Sequence, residues 1–179
     1  MRPISPIDFG CIQNPSLRNG MKYTITTRRY QSSDARDLAN IYYNTIHSIN
    51  SRDYSSEQIN AWAPSSSLEL DGWKKKWAKL VPIVALAENT IVGFAEFELN
   101  GHIDCFYVHH EFQGKGVGSA LMAAIEEQAR KEKISRIYAE VSITAKPFFE
   151  KRDFQILKEQ RVAIRGCELT NFVMEKILG

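Results

Sequence analysis

The stretch HIDCFYVHHEFQGKGVGSALMAAIEEQ, residues 102–128, decides the fold of this chain. Its first residues read as a strand, and a glycine-rich turn leads from that strand into a helix with apolar residues on one face. Residues 136–141 predict the next strand. Strand, helix and strand then form a right-handed crossover whose two strands run parallel.

The segments around this crossover predict the remaining elements. Residues 23–30 form a first predicted strand, and two helices follow it, with a further helical stretch around Trp73 and Trp77. Residues 82–99 and 154–176 predict two antiparallel hairpins. The predicted order is β-α-α-β-β-β-α-β-α-β-β, which gives an α/β (α+β) fold with a mixed, mostly antiparallel sheet between flanking helices.

The composition is ordinary for one soluble globular domain. Of the 179 residues, 44% are hydrophobic and 25% are charged, so the chain can bury a core without disulfides or a structural metal. The formal charge is only +2, and the basic residues are spread along the chain. A nucleic-acid binder would concentrate them on one patch, so we expect no nucleic-acid partner.

Residues 1–20 contain three prolines and read as an irregular tail, which leaves 21–179 as the predicted domain. No stretch is apolar enough for a signal peptide or a membrane span, so we expect no membrane partner. Cys11, Cys105 and Cys167 lie far apart without metal-ligand spacing, which favours a reducing, cytoplasmic compartment. The sequence leaves the oligomeric state open, with a homodimer as one candidate.

The glycine-rich turn QGKGVG, residues 113–118, is a candidate anion site. Backbone N–H groups at the start of a helix lack intrahelical partners, and the helix dipole there favours a negative charge. Glycines let an anion approach the backbone and permit positive φ angles, while Lys115 adds charge. The alternative is that these glycines only make a tight turn. We favour a phosphate as the ligand.

Two common phosphate-binding motifs fit this turn poorly. A Walker loop requires Ser or Thr after its lysine, and here Lys115 is followed by Gly116. The dinucleotide fingerprint GxGxxG requires glycine where Ser119 stands, and it opens a doubly wound parallel sheet, whereas here an antiparallel hairpin precedes the turn. Dinucleotide binding is therefore the runner-up.

The residues around the turn resemble a known motif. The stretch IDCFYVHHEFQGKGVGSALM is similar to the acetyl-CoA-binding motif of the GNAT superfamily of N-acetyltransferases, whose signature Q/R-x-x-G-x-G/A is matched by Gln113, Gly116 and Gly118. The later SITAKPFFEKRDF, residues 142–154, resembles the second cofactor-contacting segment of that superfamily. Residues 54–64 look like a stretch found in a bacterial subgroup whose substrates are poorly defined.

The resemblance implies that acetyl-CoA is the cosubstrate. Its pyrophosphate would be held by backbone amides of the turn, and its pantetheine arm would run along strand 102–109, with Tyr107 and Val108 beside the thioester. Ser142 takes the position of a polar residue that often contacts this arm, and Phe149 would pack against the cofactor. The residues implied at the turn are Gln113, Gly114, Lys115, Gly116, Val117, Gly118 and Ser119.

The resemblance further implies an N-acetyltransferase that moves an acetyl group from acetyl-CoA to a primary amine of a small molecule or peptide by direct attack. The amine must be neutral to attack, so a carboxylate, a histidine or a water chain has to accept its proton. The Val108 backbone N–H is the candidate that stabilises the oxyanion on the thioester carbonyl.

Three side chains are candidates for the proton acceptor. Asp104 is unusual within an apolar strand, and it is either a general base or amine anchor, or a carboxylate paired with a neighbouring donor. Strand alternation places Asp104 and His102 on the face of Val108. His102 follows a turn and is equally well a solvated side chain, and Glu96 in the adjacent strand is an alternative base.

One position departs from the family. Phe149 stands where many relatives have a tyrosine that protonates the leaving thiolate, and Asp153 stands where they have glycine. Phenylalanine cannot donate a proton, so Tyr107, Tyr138 or water would replace it, and Phe149 is most simply a core residue. The departure supports a second hypothesis, a catalytically weak acyl-CoA-binding module that regulates a partner.

The helical region before the first hairpin usually shapes the acceptor site in this superfamily. Most of its aromatic side chains are expected in the core, while Tyr54 and Trp62, flanked by polar residues, are the better candidates for acceptor binding. We expect no metal site, because adjacent histidines such as His109 and His110 point to opposite faces of a strand.

Overall fold

The computed structural model describes residues 24–179, so the predicted tail over 1–20 and the domain start at residue 21 lie outside it. The strands and helices are β1 (Ile25–Arg29), α1 (Ala35–Ser48), α2 (Ser56–Trp62), α3 (Leu70–Trp77), β2 (Ile83–Ala87), β3 (Thr90–Phe97), β4 (His102–Val108), α4 (Val117–Lys131), β5 (Arg136–Ser142), α5 (Lys146–Glu150), β6 (Gln155–Ile164) and β7 (Cys167–Ile177). The predicted order is confirmed except that α3 adds a third helix before β2, where the sequence indicated a further helical stretch. Within the described residues, no helix is both long and apolar enough to cross a membrane.

Local sequence signals explain where α2 begins and ends. The Ser55 hydroxyl accepts a hydrogen bond from the Gln58 N–H at 3.2 Å, and the Gln58 side-chain oxygen accepts one from the Ser55 N–H at 2.8 Å. This reciprocal pair is a capping box, which satisfies backbone donors at a helix start. The helix ends at Trp62, because Pro64 disfavours helical geometry in the residue before it.

All seven described strands form one sheet in the order β1-β2-β3-β4-β5-β7-β6. Neighbouring strands are antiparallel except β4 and β5, which run parallel as the predicted crossover requires. Helix α4 covers one face of the sheet with buried residues such as Leu121, and helices α1 and α3 cover the other with Leu38 and Trp77. The predicted fold class is thereby confirmed.

Strands β4 and β5 pair only near their beginnings. His102 lies opposite Tyr138 and Ile103 opposite Ala139, and the ladder between these two described strands ends there. β5 remains paired with β7 along its whole length, and β4 remains paired with β3. A gap therefore opens between β4 and β5 toward their carboxyl ends, near the start of α4.

A bulge in β4 changes which side chains share a face. Ala95 of β3 lies opposite Phe106, but Phe97, two residues later, lies opposite Ile103, so β4 contains one extra residue in this interval. Ile103 and Phe106 consequently pack together on the α4 side of the sheet, whereas Cys105 packs on the side of α1 and α3.

The predicted alternation along β4 is therefore wrong for Asp104. Lys76 of α3 contacts Asp104 at 2.7 Å and the Cys105 sulfur at 3.7 Å, so Asp104 faces α3. Val108 packs against the core on the α4 side. The extra residue in β4 explains the error, because strict alternation holds only in a regular strand.

Candidate active site

The gap between β4 and β5 is a cavity of about 180 Å³. Its walls come from both strands, from the end of α1 and from α5. Five of the residues predicted to contact the cofactor line it, namely Tyr107, Val108, Gln113, Ser142 and Phe149. Asp104 lines it as well, so the predicted cofactor slot contains two of the predicted catalytic residues, Asp104 and Tyr107.

The glycine-rich turn forms an open cradle at the start of α4. Gly116 is the N-cap of α4 with a φ of +84°, and Gly114 has a φ of +72°, values that favour glycine. The first backbone N–H groups of α4 lack intrahelical acceptors, and the Val117 side chain is buried in the core below them. The Gln113 side-chain amide donates to the Val108 carbonyl at 2.8 Å, which ties the turn to the end of β4.

Gly118 also has a packing role, which the sequence did not indicate. A Cβ there would lie 2.6 Å from the Phe148 ring, so glycine lets α5 pack closely on α4. Arg152 lies 3.6 Å from the centre of the same ring and donates to the Ser119 hydroxyl at 2.5 Å. Arg152 is therefore a second basic side chain near the start of α4, besides Lys115, and the sequence patterns did not indicate it.

The Val108 N–H is directed into the gap. The His109 N–H donates to the Val92 carbonyl at 2.8 Å, so these two residues form a hydrogen-bonded pair. Such pairs alternate with non-bonded pairs in an antiparallel ladder, and Val108, opposite Gly93, therefore turns its N–H and C=O away from β3. Accordingly, the Val108 carbonyl accepts a hydrogen bond from the Thr45 hydroxyl at 2.9 Å.

A lysine joins two of the carboxylates considered as bases. Lys76 Nζ lies 2.6 Å from Glu96 Oε2 and 2.7 Å from Asp104 Oδ2. Glu96 is 0% exposed, and its other oxygen accepts a hydrogen bond from the Trp77 indole N–H at 2.7 Å. Asp104 lines the cavity and Glu96 lies behind it. The sequence allowed a paired Asp104, but its partner comes from a helix that the strand pattern does not indicate.

The contacts of Lys76 determine which groups are charged. Desolvation acts to raise the pKa of Asp104, but the hydrogen bond and charge of Lys76 outweigh it and hold this pKa below its usual value. Burial raises the pKa of Glu96, an effect that Lys76 only partly offsets. Burial also disfavours charge on Lys76, yet its carboxylate neighbours raise its pKa. Asp104 is therefore a carboxylate beside an ammonium group at neutral pH.

His102 is held by two other carboxylates. Its Nε2 lies 2.6 Å from Glu140 Oε2 and its Nδ1 lies 3.3 Å from Glu98 Oε1. Desolvation opposes protonation, but the hydrogen bonds and charges of these two glutamates raise the pKa of His102. His102 is not among the residues that line the cavity, whereas Glu140, which sequence analysis missed, does line it.

The structure separates the candidates for the proton donor. Tyr107 lines the cavity, and burial raises the pKa of its hydroxyl well above the usual value, so the hydroxyl stays protonated. Tyr138 instead stacks on His102. Phe149 is 3% exposed within the core, as the simpler interpretation predicted. The Ser142 hydroxyl accepts a hydrogen bond from a backbone N–H at 3.1 Å at the beginning of α5.

A second cavity, of about 150 Å³, adjoins the first on the acceptor side. Tyr54 lines it, and Trp62 lines both cavities. The Tyr54 hydroxyl donates to the Thr170 carbonyl at 2.7 Å and accepts from the Ile143 N–H at 2.9 Å. Tyr54 thereby joins the segment before α2 to β7 and to the end of β5. The two predicted acceptor-side residues lie together, with ring centres 5.4 Å apart.

His109 and His110 do not point to opposite faces of a strand, as was predicted. β4 ends at Val108, so His109 and His110 do not alternate across a strand, and their rings stack with centres 4.4 Å apart. One ligand atom each from His109, His110 and Glu111 lies within 4.8 Å of the other two, a spacing that could hold a metal ion. His109 Nδ1 accepts the Glu111 N–H at 3.2 Å, which makes this histidine the N-cap of a short 3-10 helix.

The chain matches the family model described as an acetyltransferase (GNAT) domain over residues 50–176. The protein called uncharacterized N-acetyltransferase YafP from Escherichia coli (strain K12) is 37% identical over 150 residues, which cover 84% of this chain and 94% of that protein. The family resemblance drawn from the turn is therefore confirmed.

Solved structures share the fold. A GCN5-related N-acetyltransferase from Rhodopseudomonas palustris has a TM-score of 0.82 at 30% identity, covering 89% of this chain and 100% of that one. The PaiA N-acetyltransferase from Thermoplasma acidophilum, solved in complex with coenzyme A, has a TM-score of 0.67 at 19% identity, covering 86% of this chain and 99% of that one. Since the family model spans most of the sequence and these relatives are matched along nearly their whole lengths, the chain belongs to the GNAT family of acetyltransferases.

Proposed function

We propose that the protein is an N-acetyltransferase that moves an acetyl group from acetyl-CoA to a primary amine of a small molecule or peptide by direct attack. The observation that carries this proposal is the cavity between β4 and β5. Gln113 of the open cradle and Val108 line it, and so does the ionised carboxylate of Asp104. A phosphate end, a carbonyl position and an amine position are thereby aligned in one slot.

The residues at the cradle fit the diphosphate of coenzyme A. Gly116 holds its positive φ without strain, and the first amides of α4 that follow it have no intrahelical acceptor for their N–H groups. Lys115 and Arg152 add positive charge beside them. The gap beyond Gln113 and Val108 provides the room for the pantetheine arm.

Acetyl-CoA supplies the activated acetyl group as a thioester, whose C–S bond breaks as the amine nitrogen bonds to the acetyl carbon. The Val108 N–H, which points away from β3, is the donor proposed to stabilise negative charge on the acetyl oxygen. Tyr107 keeps its phenolic proton at neutral pH and is proposed to donate a hydrogen bond to the sulfur as the thiolate forms, while water supplies the proton.

Asp104 is proposed to anchor the acceptor amine. Its lowered pKa makes it a weak base, so holding and orienting the ammonium group suits it better than accepting a proton. Lys76 fixes one oxygen of this carboxylate at 2.7 Å. Water that reaches the cavity would then accept the proton from the amine.

The test combines binding and turnover. Isothermal titration with acetyl-CoA, followed by thiol-release assays across a set of amines, should show tight binding and amine-dependent release. Asp104→Asn should lower kcat/KM about 100-fold while the Kd for acetyl-CoA stays unchanged, because the variant removes the amine anchor, together with its ion pair to Lys76, and leaves the cradle as it is. Asp71→Asn, at an exposed position in α3, is the matched control. Unchanged kcat/KM in Asp104→Asn would remove Asp104 from the site.

A second candidate function is an acyl-CoA-binding module with little catalysis. Phe149 favours it, since this buried ring offers no hydroxyl near the slot. Tight acetyl-CoA binding without thiol release for any amine would support the module. We also propose a cytoplasmic location, supported by the free thiols of Cys105 and Cys167, which suit a reducing compartment.

A further inference from the structure

The two cavities meet at a shared wall. Both are lined by Trp62, Asp104, Tyr107, Glu140 and Ser142. An amine held at Asp104 therefore has the second cavity directly beside it. This second cavity is the space in which the rest of the acceptor molecule would lie, so its lining indicates the acceptor's chemistry.

The charges at the shared wall are negative. Among the described residues that line either cavity, the acidic side chains are Asp104 and Glu140, and no lysine or arginine belongs to the lining. Behind the wall, Lys76 pairs with Asp104, and His102 pairs with Glu140 and Glu98.

The ion-paired group at this wall contains four carboxylates, those of Asp104, Glu140, Glu98 and Glu96. Its cations are Lys76 and, when protonated, His102, so its net charge stays negative. Arg165 lies nearby but donates to the Ala61 carbonyl at 2.7 Å and does not line the cavities. A cation is therefore attracted to this wall, and a carboxylate or phosphate on the acceptor is repelled.

The second cavity also has an apolar part. Val162 and Ile164 of β6 and Leu169 of β7 line it, and they belong to one packed cluster with the rings of Tyr54 and Trp62. These surfaces suit an aromatic or aliphatic part of the acceptor.

One polar atom in this cavity lacks a partner. Asn171 Oδ1 is buried, and within residues 24–179 it accepts no hydrogen bond. Asn171 lies opposite Ser142 in the β5–β7 ladder and lines the same cavity. Because this oxygen has almost no exposed area, it offers no contact to a molecule in the cavity, and the substrate class rests on the charges and the apolar residues.

We propose that the acceptor is an amine cation with an apolar body and no carboxylate or phosphate group. Its ammonium group lies at Asp104 and Glu140 before deprotonation. The inference rests on the proposed acetyltransferase function and specifies its substrate class. Glu140 is its specificity-determining residue, because it lines both cavities without holding the cofactor cradle.

Tyramine and tyrosine test this inference, because they share an amine and a phenol body and differ by one carboxylate. Their affinities are measured by isothermal titration with protein saturated with coenzyme A, and their acetylation is followed by thiol release. We expect tyramine to bind about tenfold or more tightly than tyrosine. Glu140→Gln should shrink this ratio several-fold. Glu98→Gln should shrink it less, since Glu98 also pairs with His102 but does not line either cavity.

The outcomes separate this inference from the proposed function. Equal binding of the two amines, or tighter binding of tyrosine, would overturn the substrate class whether or not acetylation occurs. An unchanged ratio in Glu140→Gln would overturn the role of that residue. Preference for tyramine without thiol release would support the cavity assignment while contradicting the acetyltransferase function.

Discussion

The two ends of the active-site cavity are built in different ways. The proposed cofactor end offers backbone N–H groups of one continuous segment, residues 113–119, whose path depends on two glycines with positive φ. The proposed acceptor end offers side chains brought together from separate elements, with Lys76 from α3, Asp104 from β4 and Glu140 from β5. One end therefore depends on local conformation, and the other depends on how the sheet and helices pack.

This difference has a consequence for specificity. A backbone cradle recognises its anion whichever side chains surround it, provided that the glycines remain. The acceptor end changes its charge with a single substitution, because each carboxylate contributes separately. The same fold can accordingly keep one donor and change its acceptor.

The largest expected effect comes from blocking the cofactor end alone. Gly116→Trp should weaken acetyl-CoA binding about 1000-fold, beyond detection by titration calorimetry, because the indole would fill the cradle. The positive φ at this position adds a strain of about 1 kcal/mol, which leaves the domain folded.

Gly166→Trp is the matched control for that strain. Gly166 has a φ of +82° in the turn between β6 and β7, with no atom within 4 Å of an added Cβ. The Gly166→Trp variant should lose about as much free energy of unfolding as Gly116→Trp and should bind acetyl-CoA normally. Normal binding by Gly116→Trp would show that the cradle does not hold the diphosphate.

The next largest effect comes from removing the lysine at the acceptor end while the cofactor end stays intact. Lys76→Met should lower the free energy of unfolding by about 3 kcal/mol, because Glu96 would remain buried without its cation. Acetyl-CoA affinity should be unchanged. Chemical denaturation and titration calorimetry measure the two quantities.

A second substitution tests the cause of this loss. Lys76→Met combined with Glu96→Gln should recover most of the lost stability, since the glutamine carries no charge and still accepts the Trp77 N–H. Lys75→Met, at an exposed neighbouring position, should change stability by less than about 0.5 kcal/mol. A Lys76→Met protein as stable as the native chain would contradict the buried pair.

The cofactor end could be predicted from sequence because its signals are local. The turn, the helix after it and the parallel strand that follows depend on glycine positions and apolar periodicity within residues 102–141. The packing role of Gly118 could not be predicted there, because its partner Phe148 comes from α5. Packing between separate elements leaves no trace in a local pattern.

The acceptor end could be predicted only in part, for the same reason. The settings of Tyr54, Trp62 and Asp104 predicted a place at the site, and all three line its cavities, but the predicted face of Asp104 was wrong because the bulge in β4 arises from its pairing with β3. Lys76 sits in the run WKKKW and resembles any surface lysine. Glu140 gains its importance only through the gap between two strands.

The structural link between α2 and the sheet offers a milder test of the acceptor end. Tyr54→Phe should lower the free energy of unfolding by about 2 kcal/mol, because the Thr170 carbonyl and the Ile143 N–H would both lose their partner. The KM for the amine should rise more than that for acetyl-CoA. Tyr43→Phe is the control, since its ring stacks on His47 and its hydroxyl makes no hydrogen bond within the described residues. Equal losses in the two variants would contradict this link.

The smallest effect concerns the helix that walls the cofactor end. Asp153 follows α5 with a φ of +66°, where family relatives have glycine, so Asp153→Gly should raise the free energy of unfolding by about 0.5–1 kcal/mol. Its ion pair with Lys176 spans 4.0 Å with the Asp153 side chain 90% exposed, so little is lost with it. Glu88 has a φ of +56° in the turn between β2 and β3, away from the slot. Glu88→Gly should therefore raise the free energy of unfolding by a similar amount. If urea denaturation shows Asp153→Gly losing stability while Glu88→Gly gains it, the aspartate side chain stabilises the end of α5 by more than its backbone strain costs.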